Sequence, residues 1–209
     1  MKGITLTARN PERTKSRILQ AARREFAAKG ISGARVDGIA RRAKVNKRML
    51  YHYFGSKDGL FQAVLLQTLA ERVAHVAGTT PDTTERWRGR STFYMGAPDY
   101  VRLLRWEALE RPANETAARP ERSAAHARLR QAVESDQARG AIPAEFDTAQ
   151  WALAEIAIAL VPAAFPQLTA LTMGRTLDPA SFAEAQERFL GQLAERLGGP
   201  PGPGGPPTV

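Results

Sequence analysis

RVDGIARRAKVNKRMLYHYF, residues 35–54, is the stretch whose reading decides the fold. Val36, Ile39, Ala40 and Ala43 recur at helical spacing and give its first half a single apolar face. Lys44–Val45 interrupts the pattern, and Asn46 is a residue type that caps helix starts. A second short helix then runs through Leu50 to about Phe54, where Gly55 breaks it. Neither helix is long enough to stand alone in water, so both need a brace. The brace precedes them: Ile18, Leu19, Ala22 and Phe26 mark the apolar face of a helix that starts near Thr14 and ends at Lys29–Gly30. A short loop, Ile31 to Arg35, joins the brace to the pair. Helix, tight turn and helix on a packed support is the helix-turn-helix arrangement, whose second helix lies in the major groove of DNA.

The exposed positions of that second helix suit the task. Asn46, Lys47 and Arg48 open it, where side chains reach base edges, and Lys and Arg match the acceptors of guanine. Tyr51, His52 and Tyr53 follow, with hydroxyl and imidazole groups able to bond phosphate oxygens. Packing with Phe54 is the alternative for both tyrosines, as a plain surface position is for His52. Ser56 starts a fourth helix reaching about Ala77, with Asp58 in its first turn and Leu60, Val64, Leu65 and Leu69 as its stripe. Lys57 stands at that helix start, where backbone N–H groups and the dipole favour a phosphate. Lys2, Arg9 and Arg13 are either solvated charges or an arm for the minor groove.

Charge placement agrees. The net charge is +9, yet residues 1–60 hold 15 Lys/Arg against 4 Asp/Glu, a net +11, and the remainder carries a net −2. Such concentration favours a polyanionic partner, although charge alone does not separate DNA from RNA or anionic lipid.

The 209 residues are 43% hydrophobic and 24% charged, the balance of a folded globular chain with one ordinary domain or two small ones. With no cysteine, disulfides, thiolate metal sites and cysteine nucleophiles are excluded. His52, His75 and His126 lack ligand-type spacing, so neither a metal nor a cofactor is expected. No Ser-His-Asp set, carboxylate pair or phosphate loop appears, which argues against an enzyme. The opening MKGITLTARNPERTK lacks the apolar run of a signal peptide. Trp151 to Phe165, the longest apolar stretch, is too short for a span and contains Glu155 and Pro162. A cytoplasmic location with no membrane partner is therefore expected.

Beyond a break at Gly78 to Pro81 the pattern stays helical. Helices are expected over Thr83 to Tyr94, Pro98 to Arg111 (Val101, Leu104 and Leu109 inward), Arg119 to Arg139, Thr148 to about Leu171 behind an Asp147 cap, and Pro179 to Leu197. The tail GGPPGPGGPPTV cannot build a core and is expected to be disordered. The helix from Thr148 is apolar nearly all round, so it needs cover on two sides. A second subunit would supply one side through a four-helix contact with Ala152, Ile156, Ala159, Phe182, Phe189 and Leu193 as candidates. The alternative is the centre of a monomeric bundle.

ILQAARREFAAKG (18–30) and VDGIARRAKVNKRMLYHYFGSKDGLF (36–61) resemble the TetR family of transcriptional repressors over roughly residues 12–72, most specifically in LYHYFGSKDGLF (50–61). The resemblance implies an all-α fold: an N-terminal three-helix helix-turn-helix domain (12–72, motif 35–54) plus a C-terminal helical ligand-binding and dimerisation bundle (73–197), ahead of the tail (198–209). It makes Asn46, Lys47, Arg48 and Met49 candidate base readers and Tyr51, Tyr53 and Lys57 candidate phosphate contacts, with His52 in either class. Ile39, Val45 and Leu50 would be core. Two positions depart from the family's pattern. Arg35 stands where Thr or Ser is usual, losing a side-chain cap worth about 1 kcal/mol but adding a candidate phosphate contact. Lys44 stands where Gly is usual, so it must take a positive φ or alter the turn.

The resemblance further implies a homodimer that places two recognition helices roughly 34 Å apart on a palindromic double-stranded DNA operator. It also implies a small-molecule effector whose binding shifts the fourth helix. Tyr94, Tyr100, Trp106, Glu107, Trp151 and Phe165 are the candidate pocket wall, each aromatic being equally suited to packing. Glu107 and Glu155 would suit a cationic effector or pair with Arg102 or Arg105. The expected function is a repressor released by its effector. The alternative is an architectural DNA-binding protein of low specificity without an effector, which would bind random and selected duplexes alike.

Overall fold

The computed structural model describes residues 11–77, 83–174 and 178–197. Among these residues there are ten helices and no strand: α1 (Pro11–Gly33), α2 (Val36–Ala43), α3 (Lys47–Phe54), α4 (Lys57–Ala77), α5 (Thr83–Gly96), α6 (Pro98–Glu110), α7 (Arg119–Ala138), α8 (Thr148–Ala164), α9 (Pro166–Met173) and α10 (Pro179–Leu197). Lys2, Arg9, the break at 78–81 and the 198–209 tail lie outside the described residues. No single described helix is long and apolar enough to cross a membrane.

The helices form two compact units. One comprises the residues up to Ala70 together with Arg102–Arg119; the other comprises Glu71–Val101 and the residues from Pro120 onward. This division differs from the expected boundary near residue 72, because the end of α6 bonds to α1 and α4: Trp106 Nε1 donates to the Ala27 carbonyl at 3.2 Å, and Arg111 pairs with Asp58.

The first unit is built on the apolar stripe of α1. Ile18, Ala22 and Phe26 are fully buried with Ile39 of α2, Leu50 of α3 and Phe61 of α4. The rings of Phe26 and Phe61 meet edge to face at 5.3 Å. The leucine, isoleucine and phenylalanine side chains among them each contribute about 1.5–3 kcal/mol through burial, which supplies the support that two short helices lack. Gly30 (φ 74°) bends the end of α1, where a Cβ would overlap Glu110 and crowd Trp106.

Lys44 takes the left-handed conformation (φ 53°, ψ 48°) and closes α2, with its own N–H bonded to the Arg41 carbonyl and that of Val45 to the Ala40 carbonyl. The turn therefore keeps its form without glycine.

In the second unit α5 packs against α8 and α10. Leu129, Val133, Ile142 and Ala152 form a buried cluster flanked by Trp151 and Ile156. Its interior also holds ions. Arg86 grips Glu155 through Nε (3.2 Å) and Nη2 (2.7 Å) and reaches Asp136 at 2.6 Å. Thr83 and Arg139 add hydrogen bonds to Asp136, and Trp151 Nε1 donates to Glu155.

Two sequence expectations need correction. The helix from Thr148 does not continue to Leu171: it ends at Ala164, and α9 leaves at 97°. Pro166 lacks an N–H and drives the residue before it out of the helical region, as Phe165 shows (φ −132°, ψ 64°). On α6 the inward residues are Tyr100, Val101 and Leu103, whereas Leu109 is 75% exposed. Leu103, rather than Leu104 or Leu109, continues the inner stripe at this spacing.

Candidate nucleic-acid interface

Helix α3 is fixed at both ends by its own sequence. Asn46 caps it, its side-chain oxygen accepting the Arg48 amide at 2.9 Å. Gly55 (φ 71°) ends it, with its N–H on the Tyr51 carbonyl. Ser56 then caps α4 by accepting the Gly59 amide at 2.9 Å. Leu50 turns into the core, which leaves Lys47, Arg48, Tyr51 and His52 exposed together on the opposite face. Met49 is half-buried, and Asn46 is exposed.

Lys47 is held by Asp37 of α2 at 3.0 Å. Hydrogen bonding to that carboxylate and its charge raise the Lys47 ammonium above the ordinary lysine value. Tyr53 is half-buried, its ring 5.4 Å from His52 and 6.2 Å from Phe54, while Tyr51 is 43% exposed. The Tyr53 ring is thus the more packed of the two. Lys57 is half-buried, and its ammonium donates to the Ser32 carbonyl at 2.9 Å. Two further N–H donors remain on that group.

Arg35 occupies the N-cap of α2 in extended conformation with no side-chain cap. Its amide points instead toward Glu25 of α1, at 3.5 Å from the carboxylate. Glu25 is buried and also accepts Lys29 (2.7 Å) and Arg42 (3.2 Å). The Lys29 hydrogen bond, outweighing the effect of burial, holds the Glu25 carboxyl below the usual carboxylate range. Beside this pair a cavity of 790 Å³ is lined by Lys29, Arg35, Arg41 and Arg42 as well as Glu25 and Asp37. Glu25 was open to sequence reasoning, since it falls seven residues after Ile18 on the inward stripe. Glu110 and Arg111 at the end of α6 were not: their partners lie far away in the chain.

The six candidates for the effector pocket are distributed over the two units. Tyr94 and Tyr100 are buried in the second unit with stacked rings 6.2 Å apart, and Phe93 meets Tyr100 edge-on at 5.7 Å. Trp151 packs against Trp87 and Phe146 instead. Phe165 is 48% exposed. Trp106 and Glu107 belong to the first unit, where Glu107 accepts the Ala117 amide at 2.8 Å. Glu155 pairs with Arg86, not with Arg102 or Arg105 as the sequence suggested. Of the interface candidates, Ala152, Ala159 and Phe182 are buried within their own unit. Ile156 and Leu193 are half-buried, and Phe189 is 54% exposed.

Residues 18–64 match the family model of bacterial regulatory proteins of the tetR family, and residues 86–196 match the tetracyclin repressor-like C-terminal domain. The chain is 37% identical over 170 residues to the HTH-type transcriptional repressor SCO4008 of Streptomyces coelicolor, covering 81% of this chain and 88% of that one. It is 32% identical over 143 residues to the repressor NicS of Pseudomonas putida, covering 64% and 68%. Among solved structures it resembles SCO4942 of Streptomyces coelicolor with a TM-score of 0.71 and 28% identity, over 88% of this chain and 97% of that one.

Proposed function

The chain belongs to the TetR family, DNA-binding transcriptional regulators rather than enzymes, and from that premise we propose a homodimeric repressor that a small molecule releases from a palindromic operator. One observation carries the DNA half of this reading: Lys47, Arg48, Tyr51 and His52 share the exposed face of a capped helix whose other face is locked in the core. Asn46, Lys47, Arg48, Met49 and His52 read bases, Arg48 being suited to guanine. Arg35, Tyr51, Tyr53 and Lys57 hold phosphates and set the register. A genomic operator implies a cytoplasmic location.

Dimerisation is supported by apolar side chains that their own unit leaves exposed: Leu153 (58%) and Val161 (37%) on α8 and Phe189 (54%) on α10, beside Ile156 and Leu193. This set replaces Ala152, Ala159 and Phe182 as the contact with a second copy, since those three already face inward. Release by an effector is supported by α5, where Trp87 Nε1 and Ser91 Oγ, one turn apart, are buried without a hydrogen-bond partner among the described residues. A polar group on a small ligand would satisfy them. Repression follows the naming of SCO4008 and NicS.

The test is selection of duplexes from a random pool by the purified full chain, with its mass in solution measured alongside. A palindromic consensus bound by a dimer is expected. A monomer, or equal affinity for selected and random duplexes at one salt concentration, overturns the proposal.

A further inference from the structure

Within the first unit, two consecutive residues at the end of α6 hold both flanks of the helix-turn-helix segment. Glu110 takes the corner before it. One carboxylate oxygen accepts the Ile31 amide at 3.2 Å, and the other accepts the Ser32 amide at 2.7 Å and the Ser32 hydroxyl at 2.8 Å. These amides immediately follow Gly30, whose non-helical backbone kinks the end of α1. Arg111 takes the corner after the segment. Its guanidinium pairs with Asp58 in the first turn of α4 and lies over the Phe61 ring at 5.3 Å. The two corners are joined directly, because the Ser32 carbonyl accepts the Lys57 ammonium.

From this geometry we propose that Glu110 and Arg111 are positioning residues for DNA binding: without touching DNA, they preset the corners between which α2 and α3 are suspended. The proposal rests on the DNA-binding reading above. A reading helix held at both flanks loses less freedom on docking, and some of the affinity comes from that preorganisation.

Charge makes the test decisive in sign. Replacing an acidic residue by a neutral one near a polyanion site strengthens binding through long-range electrostatics alone. Glu110→Gln in the full chain is expected to do the reverse, weakening the duplex selected by the parent protein roughly tenfold through lost preorganisation. Amide hydrogen exchange at Ile31 and Ser32 is expected to accelerate in the same variant, with the global unfolding midpoint changed little. Glu110→Asp keeps the charge but withdraws the carboxylate by one methylene, so it should weaken binding in the same direction. It also serves if the Gln variant does not fold. Unchanged or tighter binding by either variant, or unchanged exchange at both amides, overturns the proposal. A parent protein that prefers no duplex instead sinks the DNA-binding reading, and that failure is visible before any variant is made.

Discussion

Gly59, in the first turn of α4, passes directly under the carbonyl oxygen of Phe54, the last residue of α3; a Cβ at position 59 would overlap that oxygen. The obstacle is backbone, which cannot swing aside as a side chain can. Gly59→Ala is therefore expected to destabilise the chain by about 2 kcal/mol and to weaken duplex binding, because the end of α3 must move. Urea unfolding and a duplex titration check the two halves. A variant as stable as the parent would show that the crossing of α3 and α4 is looser than its geometry implies.

Lys44 offers the opposite experiment. A side chain in the left-handed region carries a cost of about 1–2 kcal/mol, partly offset by the greater unfolded-state freedom of glycine. Lys44→Gly should raise stability by up to about 1 kcal/mol, read as a higher urea midpoint at constant slope. A lowered midpoint would mean that the Lys44 side chain makes a compensating contact.

Burial by itself would raise the Asp136 carboxyl, but hydrogen bonds from Arg86 and Arg139 outweigh it and hold the group below the ordinary carboxylate range. A depressed folded-state value means that the unfolded chain takes up its proton first. The contribution of Asp136 is then complete above about pH 4, the unfolded value, and is lost as the pH falls through the depressed one. Asp136→Asn should cost about 3 kcal/mol at pH 7, and the gap to the parent should close on acidification. Unfolding curves at several pH values measure it; a gap that is constant with pH would deny the ionic role.

Arg48 and Lys57 should differ in kind. Arg48→Ala is expected to relax the preference at particular base pairs by about 1–3 kcal/mol, whereas Lys57→Ala weakens all duplexes alike and reduces the salt slope by about one. Titrations over single base changes in the selected operator separate the two. A uniform loss for Arg48→Ala would remove it from the base readers.

Much was legible in the chain because it is local. The stripe Ile18, Ala22 and Phe26, the Asn46 cap and the exposed face of α3 follow from spacing and residue type over a few turns. For that reason the helix-turn-helix head emerged with nearly the right ends. For Lys44 the sequence left two options, a positive φ or an altered turn, and the structure takes the first. Pro166 carried an equally local signal, and a helix drawn through it to Leu171 ignored that signal.

Pairings across the fold were not legible. α8 is apolar nearly all round, so periodicity does not say which side is inward; packing against α5, α7 and the loop after α7 turned Ala152 in and left Leu153 out. Glu155 meets Arg86, 69 residues earlier in the chain, and Glu110 meets Ile31, 79 residues away. A carboxylate finds its partner through three-dimensional proximity, which residue spacing encodes within a helix but not between helices. The sequence alone thus determined the head's helices, its basic charge and the face of α3 that stays exposed. The tertiary structure decided which charges are bound up inside and which apolar side chains stay exposed, because both depend on packing between distant segments.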